Sequence, residues 1–196
     1  MQCPFNYCIT RIITGIKSSD NQIVSICAFK TAGVIQILGG VGLNGNLQAN
    51  ILTDRLAKLL DCPGYFLPTS SLGQSNEDRQ RDLQNPELAE VVAKFSEVTT
   101  AIVGIGTMAP SQLLRNSGVH YKEEMANTLM SRGAVGDICL HYFDRNGDAV
   151  LEDNEDTLTS MSLEQLKRCP NVVALAGGMD KLAAMRAALA RRTRDR

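Results

Sequence analysis

Tryptophan is absent from this chain, and aromatic residues make up only 5% of its 196 positions. Broad aromatic platforms for stacking nucleic-acid bases are therefore excluded. No charge of one sign dominates: twenty Lys and Arg face twenty-one Asp and Glu, a net charge of −1. A dedicated nucleic-acid binder would show a basic excess gathered on one face. Histidine is scarce, with only His120 and His141, too few and too isolated for a histidine-based metal site. The six cysteines (Cys3, Cys8, Cys27, Cys62, Cys139 and Cys169) include no CxxC pair. They read as free thiols filling a core, not as staples or zinc ligands. No apolar run approaches the roughly eighteen residues of a membrane helix. The N-terminal stretch lacks the pattern of a secretory signal. The expectation is a cytoplasmic protein forming a single domain over residues 1–196.

What is present is a repeated unit of apolar strand, glycine turn and helix. Val34–Leu38 runs into Gly39-Gly40-Val41-Gly42, Thr100–Val103 into Gly104-Ile105-Gly106, and Val172–Ala176 into Gly177-Gly178. A weaker case is Arg11–Thr14 before Gly15. Such nearly continuous apolar runs predict strands buried on both faces. Helical spacing predicts helices over Asn46–Leu60, after Asn85-Pro86, over Tyr121–Arg132, from a capping box at Ser162, and over Asp180–Arg192. Alternating strands and helices imply an α/β doubly wound domain, a mostly parallel sheet with helices on both faces. A small β-hairpin insertion is expected from a strand at Gly136–Phe143, a turn over Asp144–Asp148 and a return at Ala149–Leu151. Ser70–Gln84 reads as a polar surface loop.

In an open α/β sheet, ligands bind beyond the carboxyl ends of the strands. There the glycine turns allow close backbone approach, and the following helix N-termini favour anions. Each turn also has a plainer reading as a tight connection. None completes a dinucleotide fingerprint or a GxxxxGK[ST] loop. Lys181 stands three residues after Gly178, where a cation opposes the helix dipole unless an anion is bound. Asp137 could accept from sugar hydroxyls, Ser18 and Ser19 could donate to phosphate, and Gln48 and Asn50 could read hydroxyls. Each of these also fits a cap, a turn or a solvated surface. Asp144, Asn146, Asp148 and Glu155 echo a calcium loop, but Ala149 stands where its glycine belongs, so no metal is expected. Neither histidine lies in a motif that orients it toward a serine or cysteine, so no nucleophilic dyad is expected. The acidic run at 144–156 and the basic tail at 181–196 read as solvated surfaces, with DNA phosphate contact by the tail as the weaker alternative.

Val34-Ile-Gln-Ile-Leu-Gly-Gly-Val-Gly, followed by Gln48-Ala-Asn50-Ile-Leu-Thr-Asp-Arg-Leu-Ala, resembles the effector-binding domain of the sorbitol-operon-regulator (SorC) family of bacterial transcription factors. So do Val103-Gly-Ile-Gly-Thr, Gly133-Ala-Val-Gly-Asp-Ile-Cys-Leu-His-Tyr-Phe-Asp and Ala176-Gly-Gly-Met-Asp-Lys181. The resemblance runs from about Gly33 to Ala190; residues 1–32 match poorly. It implies a Rossmann-like domain that binds a phosphorylated sugar and thereby controls operator binding, without catalysis or a cofactor. The Gly39-Gly40 turn, Asp137 and Lys181 match positions near the sugar phosphate, with Lys181 on phosphate and Asp137 on hydroxyls. Gly104 and Gly106 belong to the matched Val103-Gly-Ile-Gly-Thr segment. Leu38 stands where some relatives place an arginine for a second phosphate, which makes a bisphosphate less expected. The family's helix-turn-helix is not in this chain, so DNA would be reached only through that missing module. A homo-dimer or tetramer is implied. A sugar-phosphate isomerase or deaminase on the same fold is the alternative, and a structural dimerisation module a third reading.

Overall fold

The computed structural model describes residues 33–40, 45–69, 75–109, 123–152 and 155–194. The possible strand at Arg11–Thr14 lies outside them.

Val34 and Ile35 form β1, which pairs in parallel with β2 at Gly64–Tyr65. Successive strand residues face opposite sides. Val34 and Leu38 accordingly enter one apolar cluster, while Ile35 and Ile37 enter another. This segment is buried on both faces, as its run of apolar residues predicts. Helix α1, Gly45–Leu59, connects the two strands and turns Ala49, Thr53 and Ala57 inward at four-residue spacing.

The stretch expected as a polar loop holds helix α2, Asn76–Asp82. Ser75 caps it by accepting from the Asp78 amide, and Glu77 and Asp78 complement its dipole. With no buried residue of its own, this helix shows no apolar stripe, so periodicity was silent there. Helix α3, Pro86–Ala93, begins at its expected Asn85 cap and buries Leu88 and Val91.

A four-stranded sheet has the order β5-β4-β3-β6, with β3 at Thr100–Thr107, β4 at Gly136–Ile138, β5 at His141–Phe143 and β6 at Asn171–Leu175. β3 and β6 are parallel, whereas β3–β4 and β4–β5 are antiparallel. Helices α4 (Glu123–Ser131), α5 (Leu163–Arg168) and α6 (Leu182–Arg194) complete the described elements. The fold is mixed α/β, and no described helix is long and apolar enough to cross a membrane.

Two expectations need correction. The strand expected over Gly136–Phe143 reverses in its middle, at Cys139-Leu140, where both residues have positive φ (54° and 65°). Ile138 pairs with His141, so the loop has two residues, and positive φ at both is what a type I′ hairpin requires. Buried hydrogen bonding and packing overcome the poor turn propensity of Cys and Leu. The turn expected at Asp144–Asp148 is present, but its return is a single bridge, Phe143 to Ala149. Second, β6 is not buried on both faces: Val173 is 47% exposed. It stands at the margin of the sheet order.

The main core joins both sheets through Ile35, Leu67, Phe95, Val103, Phe143, Leu166 and Ala184. At α5 the capping box is reciprocal: Ser162 Oγ accepts from the Gln165 amide, and Gln165 Oε1 from the Ser162 amide. Ser162→Ala is expected to cost about 1 kcal/mol in urea unfolding. An unchanged midpoint would show that packing of Leu163 and Leu166 alone holds the helix.

Candidate functional site

The carboxyl end of β3 carries the densest arrangement of chemistry. Gly106 pairs with Asp137 across the antiparallel β3–β4 ladder. The Asp137 carboxylate rests directly on Gly106, in the space a Cβ there would occupy. Gly104 lies two residues earlier and therefore on the same face of the strand. Gly136 lies close to Ala184 and to the Gly106 carbonyl. Glycine at both positions lets β4 and α6 close over β3.

Asp137 is buried, and its Oδ2 accepts from the Leu140 amide at 3.1 Å. The carboxylate thus closes the two-residue turn that follows it. Cys139 packs into the main core and Leu140 into the cluster of Val34, Leu38, Ala49 and Leu158. The turn joins both hydrophobic clusters beside the carboxylate.

Lys181 arrives from the other side of β3. β6 leads through Gly177 and Gly178 (φ 111°) into a 3₁₀ turn, Met179–Lys181, before α6. The lysine is therefore just ahead of the α-helix, not inside its first turn. Its Nζ donates to the Ile105 carbonyl at 2.5 Å, which places the ammonium against β3. Burial raises the Asp137 pKa to about 6, opposed by the Leu140 hydrogen bond and by the positive charge of Lys181.

This shift fixes a pH dependence. An ordinary Asp releases its proton near pH 4, whereas folded Asp137 keeps it to about pH 6. The native state binds the extra proton in that interval, so its stability falls as pH rises from 4 through 6. Relative to Asp137→Asn, the unaltered chain is expected to lose up to about 3 kcal/mol over that range. Paired urea titrations at each pH measure it, and a gain with rising pH would contradict the sign.

The other sequence candidates occupy different positions. The Gly39 amide donates to Thr159 O and the Gly40 amide to Thr69 O, both at 3.1 Å. That turn therefore ties strands and loops together with the very amides expected to face an anion. Asn50 lies on α1, and its Oδ1 is buried without a hydrogen-bond partner, an acceptor in need of a donor. Gln48 belongs to the same helix, but its side chain lies outside the description, as do Ser18 and Ser19.

One constellation runs against the sequence reading. His141 Nε2 is 2.7 Å from Ser160 Oγ, and its Nδ1 is 3.9 Å from Asp156 Oδ2. Ser160 is itself held in an antiparallel bridge to Leu38, while His141 comes from β5. Nothing local in the sequence signals that long-range contact. Burial and Arg79 lower the His141 pKa, against the opposing pull of Asp156 and the Met161 backbone. Among the described residues, no His, Cys, Asp and Glu cluster suits a metal ion.

Comparison with known proteins gives this geometry a context. Residues 9–195 match the family model described as "Putative sugar-binding domain". The erythritol catabolism regulatory protein EryD of Brucella abortus is 30% identical over 158 residues, which cover 79% of this chain and 48% of that protein. The sugar-binding domain of a transcriptional regulator DeoR from Pseudomonas syringae pv. tomato is 38% identical, with TM-score 0.58, covering 82% of this chain and 56% of that one. The full-length sorbitol operon regulator SorC of Klebsiella pneumoniae is 25% identical, with TM-score 0.70, over 80% of this chain and 51% of that one. The chain spans about half the length of the curated relatives it matches. By the extent of the family match and the agreement in fold, it belongs to the sugar-binding domain family of SorC-type transcriptional regulators.

Proposed function

We propose that the chain is the sensing part of a transcriptional regulator and that its effector is a phosphorylated sugar. The observation that carries this reading is the convergence of Lys181 on Ile105 and of Asp137 on Gly106, near the carboxyl end of β3. A cation and an anion side by side suit a ligand that is anionic at one end and hydroxylated at the other. Lys181 takes the phosphate, Gly106 makes room for the Asp137 carboxylate, Gly104 on the same face admits the ligand close to the strand, and Asp137 accepts from hydroxyls. Asn50 and Gln48 on α1, the Gly39-Gly40 turn, and Ser18 and Ser19 complete the proposed site. The parallel pairs β1–β2 and β3–β6 fit a Rossmann-like arrangement with its ligand at the strand ends. The same reading makes the protein a cytoplasmic, non-catalytic homo-oligomer that reaches DNA through a separate helix-turn-helix.

A thermal-unfolding screen of sugar phosphates against the matching free sugars tests it, because a ligand that binds only the native state raises the midpoint by mass action. The expected result is stabilisation by one or a few sugar phosphates, with the sugar recovered unchanged. Equal responses to phosphorylated and free sugars would overturn the phosphate assignment. Conversion of the sugar phosphate would favour an isomerase or deaminase. The chain alone is expected to show no sequence-selective operator binding in gel-shift titration at physiological salt, since its charge is balanced. Nanomolar, sequence-selective binding would contradict that.

A further inference from the structure

The His141–Ser160–Asp156 constellation shares no residue with the Gly106–Asp137–Lys181 group and opens onto a different space. A cleft of about 570 Å³ is lined by His141, Ser160 and Asp156 together with Arg79, Gln165 and Arg168. The segment carrying Asp156 and Ser160 is pinned on two sides. From α2, Asn76 donates to the Asp156 carbonyl at 2.8 Å and Arg79 Nε to the Leu158 carbonyl at 2.7 Å. On the side of β1, the Met161 amide donates to Ile37 O at 2.8 Å. The Leu158 amide donates to Asp156 Oδ1 at 2.9 Å, which fixes that carboxylate. Serine and imidazole are thus held within hydrogen-bond reach by rigid surroundings, and a carboxylate faces the far nitrogen. That arrangement is the one by which a weak hydroxyl nucleophile is activated.

We propose that Ser160 is a nucleophilic serine, activated by His141 and acylated by small activated esters that enter this cleft. The charge of Asp156 favours the tautomer with hydrogen on Nδ1, leaving Nε2 as acceptor for the Ser160 hydroxyl. Ser160 Oγ bonds to the ester carbonyl carbon while its proton passes to Nε2. The tetrahedral adduct then expels the alcohol oxygen with the electron pair of the broken C–O bond, and the imidazolium returns the proton to that oxygen. One acyl-serine and one alcohol form, and no oxidant or reductant is consumed. Burial keeps His141 neutral at physiological pH, the form a general base requires. The charged groups facing it across the cleft are Arg79, Arg168, Glu152, Asp156 and Glu164.

The test uses the full chain with p-nitrophenyl acetate, following nitrophenolate release and locating the acetyl group by peptide mass spectrometry. The expected result is a burst of one equivalent with acetyl on Ser160. Ser160→Ala is expected to abolish the burst, and His141→Gln to slow it about a hundredfold or more. Thermal unfolding checks that both variants are folded. If either is not, the pH–rate profile of the unaltered chain decides. A plateau reached below the usual histidine range supports activation by His141. A rate still rising tenfold per pH unit in alkali means unassisted attack and overturns the proposal. Acetylation confined to lysines or the N-terminus overturns it as well.

Discussion

Lys181→Ala is expected to weaken a sugar phosphate about tenfold to a hundredfold while barely changing the affinity for the unphosphorylated sugar. A charge-assisted hydrogen bond of the kind a lysine gives a phosphate contributes about 1.5–3 kcal/mol, which converts to that range of affinity. The effect on the unliganded protein differs from what sequence alone implies. A cation at a helix N-terminus is mildly unfavourable, so its removal looks harmless. In the structure, however, Nζ is bonded to Ile105 O and its charge favours ionised Asp137. Removing it leaves both groups less well compensated. Stability is expected to fall by about 1–3 kcal/mol, with the larger loss above pH 6, where Asp137 is charged. Calorimetry with both ligands, alongside urea unfolding at pH 5 and pH 7.5, separates the two effects. Equal losses for both ligands would reject Lys181 as the phosphate contact.

The second large effect is on folding. Gly106→Ala places a methyl group where the Asp137 carboxylate lies. Neither β3 nor β4 can yield easily, because their ladder pairs Ile105–Thr107 with Gly136–Ile138. Overpacking a dense interior costs about 1–3 kcal/mol. Displacing Asp137 from Leu140 adds a lost buried hydrogen bond, for a total of about 4 kcal/mol. The cause is specific, so it has a specific rescue. An Asp137→Gly background removes the three atoms nearest that methyl group, and there Gly106→Ala is expected to cost less than half as much. A double-mutant cycle measures this coupling. Additive losses would mean that the clash is not with the carboxylate.

The contrast between Ser162 and Ser160 shows what sequence could and could not convey. The capping box at Ser162 is local: the groups that satisfy one another are three residues apart, and the cap forms as read. The same holds for Asn85-Pro86 and for the glycine turn after β6, whereas Gly104 and Gly106, expected in a turn, continue β3 and pair with Leu175 and Asp137. Ser160 meets a histidine nineteen residues away, a distance at which no local pattern operates. Cys139-Leu140 failed for the opposite reason. Turn propensity pointed to Asn146-Gly147, a good local turn, while burial of Leu140 and the Asp137 hydrogen bond chose a reversal that propensity disfavours. For Lys181 and Asp137, sequence supplied the residue types and the likeness to a family. Their convergence on β3 depends on strand order and register, which periodicity does not encode.

The amide of Leu140 has a practical consequence. It is a single N–H buried between two hydrophobic clusters and bonded to the Asp137 carboxylate, the proposed acceptor for a ligand hydroxyl. Any guest that draws electron density from Asp137, or any proton that neutralises it, must change the shielding of that hydrogen and its exchange with solvent. In a ¹⁵N-labelled sample this one cross-peak therefore serves as a built-in gauge. Moving through acid titration with a midpoint near pH 6, it reports the charge of the carboxylate. Moving at constant pH on addition of a sugar phosphate, it reports occupancy, without any probe attached to the protein.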